Sequence, residues 1–385
     1  MEYKTIKELC DLVVDCPHST PTWTEHGKIV IRNNNIKNGR IDFTSPSFTD
    51  DEHFAQRIKR AVPKAGDIVI TREAPMGEVG MIPEGIKCCL GQRMVLLRAN
   101  ERICDKHYLL YGLQSQFVQH QISWSEGTGT TVSNLRIPHL EQIRVPYVPL
   151  DQQKKISSVL YALGDKIENN RKLNDNLEQQ AAALFSSLYN RSNTEVRYTD
   201  LIQILGGGTP KTGETAYWNG NIAFFTPKDV GTPYTFITEK TITEEGLSHC
   251  NSRLYPVNTV FVTARGTVGK VGLSGVPMAM NQSCYALVGK ETHQLLVYFY
   301  TLKVVDKLKH KASGAVFDAI TTRDFESEQI MKLSDDDARA FLCVAEPMFQ
   351  DILNNSIENL RLSTLRDFLL PKLMSGEIDV SNIQF

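Results

Sequence analysis

The chain has 385 residues, 41% hydrophobic and 22% charged, with a net charge of −2; it is long enough for two or three domains and is balanced like an ordinary globular protein. No run of about 18 apolar residues occurs, and the start MEYKTIKELCDLVV lacks an apolar core followed by small residues, so a membrane span and a secretory leader are excluded and the cytoplasm is the expected compartment. The charge argues against an indiscriminate polyanion binder but not against one with its basic residues on one face, and eight cysteines without a CxxC pair read as reduced, mostly buried thiols rather than zinc ligands.

The first 150 residues read as short β-branched strands bounded by Gly, Asn or Pro, such as GDIVITR (66–72) and RMVLLRA (93–99), with one apolar helical stretch, HYLLYGLQSQFVQHQI (107–122). From Asp151 to about Asn190 the period changes. Ile156, Leu163, Asn170, Leu177 and Leu184 fall every seven residues, and Leu160, Ile167, Asn174, Ala181 and Leu188 form a second row four later. This is a heptad seam on a helix of about 60 Å, in which Asn170 opposes slippage of register. From residue 193 strands return as NTVFVTA (258–264) and CYALVG (284–289), followed by a helical stretch at 294–312. A second long amphipathic block runs from about Ser334 to Leu370; it shares Ile-x-Asn-Asn with the first (Ile167 to Asn170, Ile352 to Asn355), and Pro347 is expected to interrupt it.

The two strand-rich regions are one pattern written twice. TREAPMGEVG (71–80) and TARGTVGKVG (263–272) match at Thr71, Gly77, Val79 and Gly80 against Thr263, Gly269, Val271 and Gly272. Ile31 lines up with Phe225, Ile36 with Val230, Gly91-Gln92 with Asn281-Gln282, and residues 129–140 loosely with 314–325. Recurrence in one order implies a repeated domain. The expected class is α+β: two homologous globules over 1–150 and 193–333, with long helices over 151–192 and 334–385 that pack antiparallel.

No nucleotide-binding or hydrolytic signature is present: GxxxxGK[ST], H-E-x-x-H and G-x-S-x-G are all missing, as is an Asn-Pro-Pro-aromatic element for methyl transfer to bases. The repeated glycines read as turn formers, with close approach of turn N–H groups to a phosphate as a second reading. What remains is polar, basic loop chemistry. In the first copy it comprises Arg32, Asn33, Asn34, Asn35 and Lys37, then Arg57, Arg72 and Arg93, and the hydroxyl-rich Thr128, Thr130 and Thr131. In the second it comprises Lys211, Thr226, Lys228, Asp229, Arg265 and Lys270. Asn pairs with adenine, Arg and Lys with guanine or phosphate. The residues that differ between the copies, Arg72 and Glu73 against Ala264 and Arg265, are expected to serve different targets. Read from the residues alone, a non-catalytic repeat scaffold binding protein or carbohydrate also fits.

PLDQQKKISSVLYALGDKIENNRKLNDNLEQQAAALFSSLY (149–189), YWNGNIAFFTPKDV (217–230) behind GGGTPKTG, GDIVITR with its Gly-x-Val-Gly, DCPHSTP (15–21) and RNNNIKNGRI (32–41) together resemble the specificity subunit of type I restriction–modification systems, over nearly the whole chain. The resemblance implies two target recognition domains separated by antiparallel conserved helices, reading a split, asymmetric double-stranded DNA sequence in host defence. It also implies two modification (methyltransferase) subunits and restriction subunits as partners, with S-adenosylmethionine, ATP and Mg on those partners and no cofactor on this chain. Ile156, Leu160, Leu163, Ile167, Asn170, Leu177, Leu184, Ile352, Leu365 and Leu369 would then serve as spacer and partner-docking positions. The apolar 312–325 departs from its polar counterpart in the first copy.

Overall fold

A computed structural model describes residues 2–37, 39–124, 134–231, 233–311 and 319–381. The chain forms two compact units: Met1–Ile167 with Leu360–Phe385, and Glu168–Asn359.

In the first unit the strands Cys10–Asp15, Met94–Ala99, Ile68–Thr71 and Val79–Met81 lie side by side in that order, all antiparallel. Both faces of this sheet are covered, which is why its strands are continuous apolar runs rather than alternating ones. Ile68, Ile70, Val95 and Leu97 point into a core with the helices, while Val69, Met94 and Leu96 meet a second, three-stranded sheet. That sheet pairs Lys28–Ile31 antiparallel with Ser47–Thr49 and parallel with Cys88–Leu90. A two-stranded ribbon, Glu2–Thr5 with Arg144–Tyr147, completes the unit.

The second unit repeats each of these sheets. Its main sheet orders Ile202–Gly206, Cys284–Gly289, Val260–Thr263 and Val271–Ser274, and adds Tyr234–Thr235 at the edge. Trp218–Phe225 pairs antiparallel with Lys240–Ile242 and parallel with Met278–Met280, and Thr194–Arg197 pairs with Gln329–Lys332. Single hydrogen bonds recur at the aligned positions. Gly91 N donates to Ile31 O at 2.7 Å, and Asn281 N to Phe225 O at 3.0 Å. The repeat is therefore one of topology and of main-chain pairing.

The recurring Thr-to-Gly stretch is a closed turn in both copies. Thr71 N donates to Glu78 O at 2.9 Å and Gly77 N to Thr71 O at 2.9 Å; Thr263 N donates to Lys270 O at 3.0 Å and Gly269 N to Thr263 O at 2.9 Å. The buried threonine hydroxyl bridges the turn, accepting from Glu78 N at 3.0 Å in one copy and from Lys270 N at 2.9 Å in the other. Gly77 at φ +84° and Gly269 at φ +73° occupy the left-handed region, and a Cβ on either would crowd side chains of the helix packed beneath. The turn-forming reading of these glycines is the one their geometry meets.

The first long helix is Leu150–Tyr189 and the second Asp335–Met374, each of 40 residues. Within the second unit they run antiparallel, since Asn170 meets Glu358 and Asn359, Asn174 meets Ile352, and Phe185 meets Phe341 edge to face. Within the first unit Ile156 and Leu160 share a core with Leu373 and Met374. The row Leu160, Ile167, Asn174, Ala181, Leu188 is buried throughout, whereas in the other row Leu163, Leu177 and Leu184 are only half-buried. Phe185, outside both rows, is a central core residue.

Two expectations are corrected here. Pro347 does not interrupt the second helix. It lies on the exposed face, where the Cys343 carbonyl it leaves without a donor can be solvated, while Phe341, Ala345, Phe349 and Ile352 pack on the opposite face. The stretch 107–122 is two helices, Lys106–Gln114 and Gln116–Trp124, because Ser115 takes an extended conformation and its hydroxyl donates back to Gly112 O at 2.6 Å. All eight cysteines are free, five of them buried, and burial pushes the Cys88 and Cys89 thiols up to about 12 and about 11. Among the described residues no helix is long and apolar enough to cross a membrane.

Candidate nucleic-acid interface

Short loops leave the strand ends of each unit and are drawn together by a small set of bonds. In the first unit Cys16 N donates to Met94 O at 3.0 Å, Arg72 N to Arg93 O at 2.8 Å, and Leu135 N to Arg72 O at 3.0 Å. Asn33 Nδ2 donates to Glu73 O at 2.5 Å, and Gln92 Nε2 to His18 O. Five segments (15–20, 31–35, 72–75, 91–93 and 134–136) thus share one edge. In the second unit Ala264 N donates to Ser283 O at 2.8 Å and Ile320 N to Ala264 O at 2.9 Å, the same two bonds at the equivalent positions. Gly208 N donates to Met280 O at 3.1 Å, Thr209 Oγ1 to Gln282 Oε1, and Thr267 Oγ1 to Pro227 O at 2.9 Å.

The polar residues singled out in the sequence divide sharply by where this packing turns them. Arg57 is 6% exposed and is a structural clamp: Nε donates to Leu90 O at 2.7 Å, Nη1 to Ser19 O at 2.9 Å and Nη2 to Pro17 O at 3.2 Å. Burial lowers its pKa, yet the guanidinium stays charged and holds the loop at 17–19 in place. Arg72, 9% exposed, also points inward, with Nη1 on Asp15 at 2.9 Å, Nε on Leu135 O at 2.9 Å and Nη2 on Asn134 Oδ1 at 3.1 Å. These two arginines serve the scaffold, a correction to reading them as contact residues.

Asn35 and Asp229 share another internal task. Asn35 Oδ1 accepts from Arg32 N at 2.9 Å, and Asp229 Oδ2 accepts from Thr226 N at 2.7 Å, so each side chain caps its own turn. Thr226 Oγ1 also donates to that carboxylate, at 2.6 Å. Asn33 is half-buried, and its Oδ1 has no hydrogen-bond partner among the described residues. The residues whose heads remain at the surface are Arg32, Asn34, Lys37 and Arg93 in the first unit, and Lys211, Lys228, Arg265 and Lys270 in the second. Arg32 stacks over Trp23 at 5.0 Å, a partner nothing in the linear sequence marks. Lys228 faces Glu239 at 3.6 Å. Thr128, Thr130 and Thr131 lie outside the described residues. Glu73 and Asn134 join the edge as organisers: Asn134 Nδ2 donates to Glu73 Oε1 at 2.6 Å. Among the described residues no cluster of three His, Cys, Asp or Glu side chains is placed to hold a metal ion.

A sequence model of the family described as "Type I restriction modification DNA specificity domain" matches residues 1–179 and 190–332, one match on each copy. The chain belongs to this family. It is a specificity subunit with two recognition domains and long spacer helices, and it is not itself the catalyst; catalysis lies in other subunits of the complex. Among related proteins, the type I restriction enzyme MjaIX specificity subunit of Methanocaldococcus jannaschii is 23% identical over 351 residues, covering 84% of this chain and 80% of its own. The HindI specificity subunit of Haemophilus influenzae is 28% identical over 186 residues, covering 47% of this chain and 40% of its own. Among solved structures, the S subunit of a type I restriction–modification system from M. genitalium shares the fold with a TM-score of 0.61 at 17% identity, over 97% of this chain and 95% of that one.

Proposed function

We propose that the recognition domains at 1–150 and 193–333 each read one half of a split, asymmetric duplex through the loop edge just described. The observation that carries this reading is the duplicated edge. The same main-chain bonds bring the same loops together in each copy, while the side chains differ: the exposed Arg93 stands against the half-buried Ser283, and the half-buried Glu73 against the exposed Arg265. A scaffold conserved in its bonds and varied at its surface suits two readers of unlike sequences. Lys37, Lys211 and Lys270, long and exposed, supply phosphate contacts that set register without reading bases.

The long helices of 151–192 and 334–385 set the number of unread base pairs between the half-sites. Their apolar residues divide by burial. Ile156, Leu160, Ile167 and Ile352 are consumed by the cores, whereas Leu365 is exposed together with Tyr161 and Phe368, and Leu173 with Val344. We assign this exposed set to docking of two modification subunits, with restriction subunits joining the larger enzyme. S-adenosylmethionine, ATP and Mg then belong to those partners.

The test is a gel-shift titration of the chain with its modification subunit against random and selected duplexes at rising salt. One bipartite sequence is expected to be preferred, and the logarithm of the affinity should fall linearly with the logarithm of salt concentration. Equal binding of every duplex, or binding indifferent to salt, would return the chain to the scaffold reading.

A further inference from the structure

One exposed guanidinium on the first unit's loop edge lies at the end of a chain of contacts that begins in the protein interior. Asp15 takes Nη1 of the buried Arg72 at 2.9 Å, and Arg72 Nη2 donates to Asn134 Oδ1 at 3.1 Å. With its oxygen so engaged, the Asn134 amide directs Nδ2 at Glu73 Oε1, 2.6 Å away. The other carboxylate oxygen of Glu73 lies 3.2 Å from Nε of Arg93. The Arg93 side chain is 55% exposed and that of Glu73 18%, so the carboxylate sits inside the edge and the guanidinium outside it. Among the described residues, neither Nη1 nor Nη2 of Arg93 makes a hydrogen bond.

The backbone at this place is also unusual. Of the four described non-glycine residues with φ in the left-handed region, two are asparagines, which tolerate it; the others are Ala74 at φ +45°, which follows Glu73 in the chain, and Arg93 at φ +65°, which faces the Glu73 carboxylate. A left-handed arginine persists only where its surroundings over-determine it. The Arg93 carbonyl accepts from Arg72 N at 2.8 Å in this conformation.

We propose that Arg93 reads a guanine in the half-site bound by the first recognition domain, with Glu73 as its positioning residue. This rests on the function proposed above and deepens it. A guanidinium whose Nε faces a carboxylate leaves its two terminal nitrogens as a fork of parallel donors, and the guanine major-groove edge offers two matching acceptors, O6 and N7. A phosphate contact fits this place less well, because the Glu73 carboxylate partly neutralises the cation and repels a phosphate. In the second unit Ser283 stands at the position of Arg93 and Arg265 at that of Glu73. The pair is therefore confined to one domain, and its effect is confined to one half-site.

The experiment selects bound duplexes from a random pool with the full chain and its methyltransferase partner, comparing the parent chain with R93K and E73Q. R93K keeps the charge and loses the fork; it is expected to relax one guanine position by on the order of 10- to 100-fold while every position of the other half-site is unchanged. E73Q, which retains Arg93 but weakens its hold, is expected to relax the same position by a smaller factor. A bipartite preference that R93K leaves intact overturns this proposal alone, as does R93K weakening all duplexes equally, the mark of a phosphate contact. E73Q acting at a different base overturns the positioning role. Absence of any bipartite preference in the parent complex overturns the proposed function and this inference with it.

Discussion

Thr71 and Thr263 show how a residue type is dictated by a main-chain circuit. Each is fully buried at a strand end, and each hydroxyl spans its turn; Thr71 Oγ1 donates to Pro75 O at 2.6 Å and accepts from Glu78 N. Valine has the same shape and suits the strand equally, so T71V isolates the loss of the hydroxyl. The hydroxyl's two hydrogen bonds would be lost, and T71V and T263V are each expected to cost about 1–3 kcal/mol, measured by denaturant unfolding of the full chain. Because the circuits match, similar losses are expected in the two domains; a neutral T71V would mean the turn is held by its glycines alone. This circuit was legible in the sequence because it demands one hydroxyl and one left-handed glycine at fixed spacing. The directions of Arg57 and Arg72 were not, since a carbonyl at Pro17, Ser19, Leu90 or Leu135 leaves no trace in residue type. By type both arginines are readers of nucleic acid, and only the tertiary fold turns them into clamps.

Among elements, the long helices were the most legible, because a seven-residue period sustained over 40 residues has few other causes. Two departures were not legible, and both turn on which face a residue occupies. Pro347 is tolerated because it faces solvent, and Ser115 breaks a helix because its hydroxyl returns to Gly112 O. The seam's polar layer was marked by Asn170, yet its full extent is a network. Asn170 Nδ2 donates to Glu358 Oε2 at 2.6 Å and to Asn359 Oδ1 at 3.0 Å, and Asn355 Nδ2 donates to Asn174 Oδ1 at 2.9 Å. The shared Ile-x-Asn-Asn element supplies Asn355 from one helix and Asn170 from the other. N174L is expected to destabilise by about 1 kcal/mol or more, since it leaves the Asn355 amide without its acceptor in the seam. The N174L/N355L double variant should recover most of that loss, because both partners then become apolar. A double-mutant cycle read by thermal unfolding checks this: additive losses would show that the two amides do not act as a pair.

At the scale of the whole molecule, duplication explains which features could be read early. Sheet order, turn circuits and pairing bonds are common to both copies, and repetition doubles the signal at every matched position. Surface chemistry is what the copies do not share, so repetition says nothing about it; the pairing of Glu73 with Arg93 emerges only when strands distant in sequence meet. The same logic yields a test of independence. Replacing residues 1–150 with those of a relative that reads another sequence should change one half-site of the methylated target and leave the other untouched, as read by methylation mapping of DNA modified by the assembled complex. The replacement has to respect one packing constraint. Tyr108, Leu109 and Val145 share a core with Ile156, Leu160, Leu373 and Met374, so the donor domain must present a similar apolar face to the two helices. A donor that violates it is expected to lower stability before it alters reading, and a thermal melt separates the two effects. Given a stable chimera, change in both half-sites would mean that the recognition domains do not read separately, and the duplicated edge would then describe one composite reader instead of two.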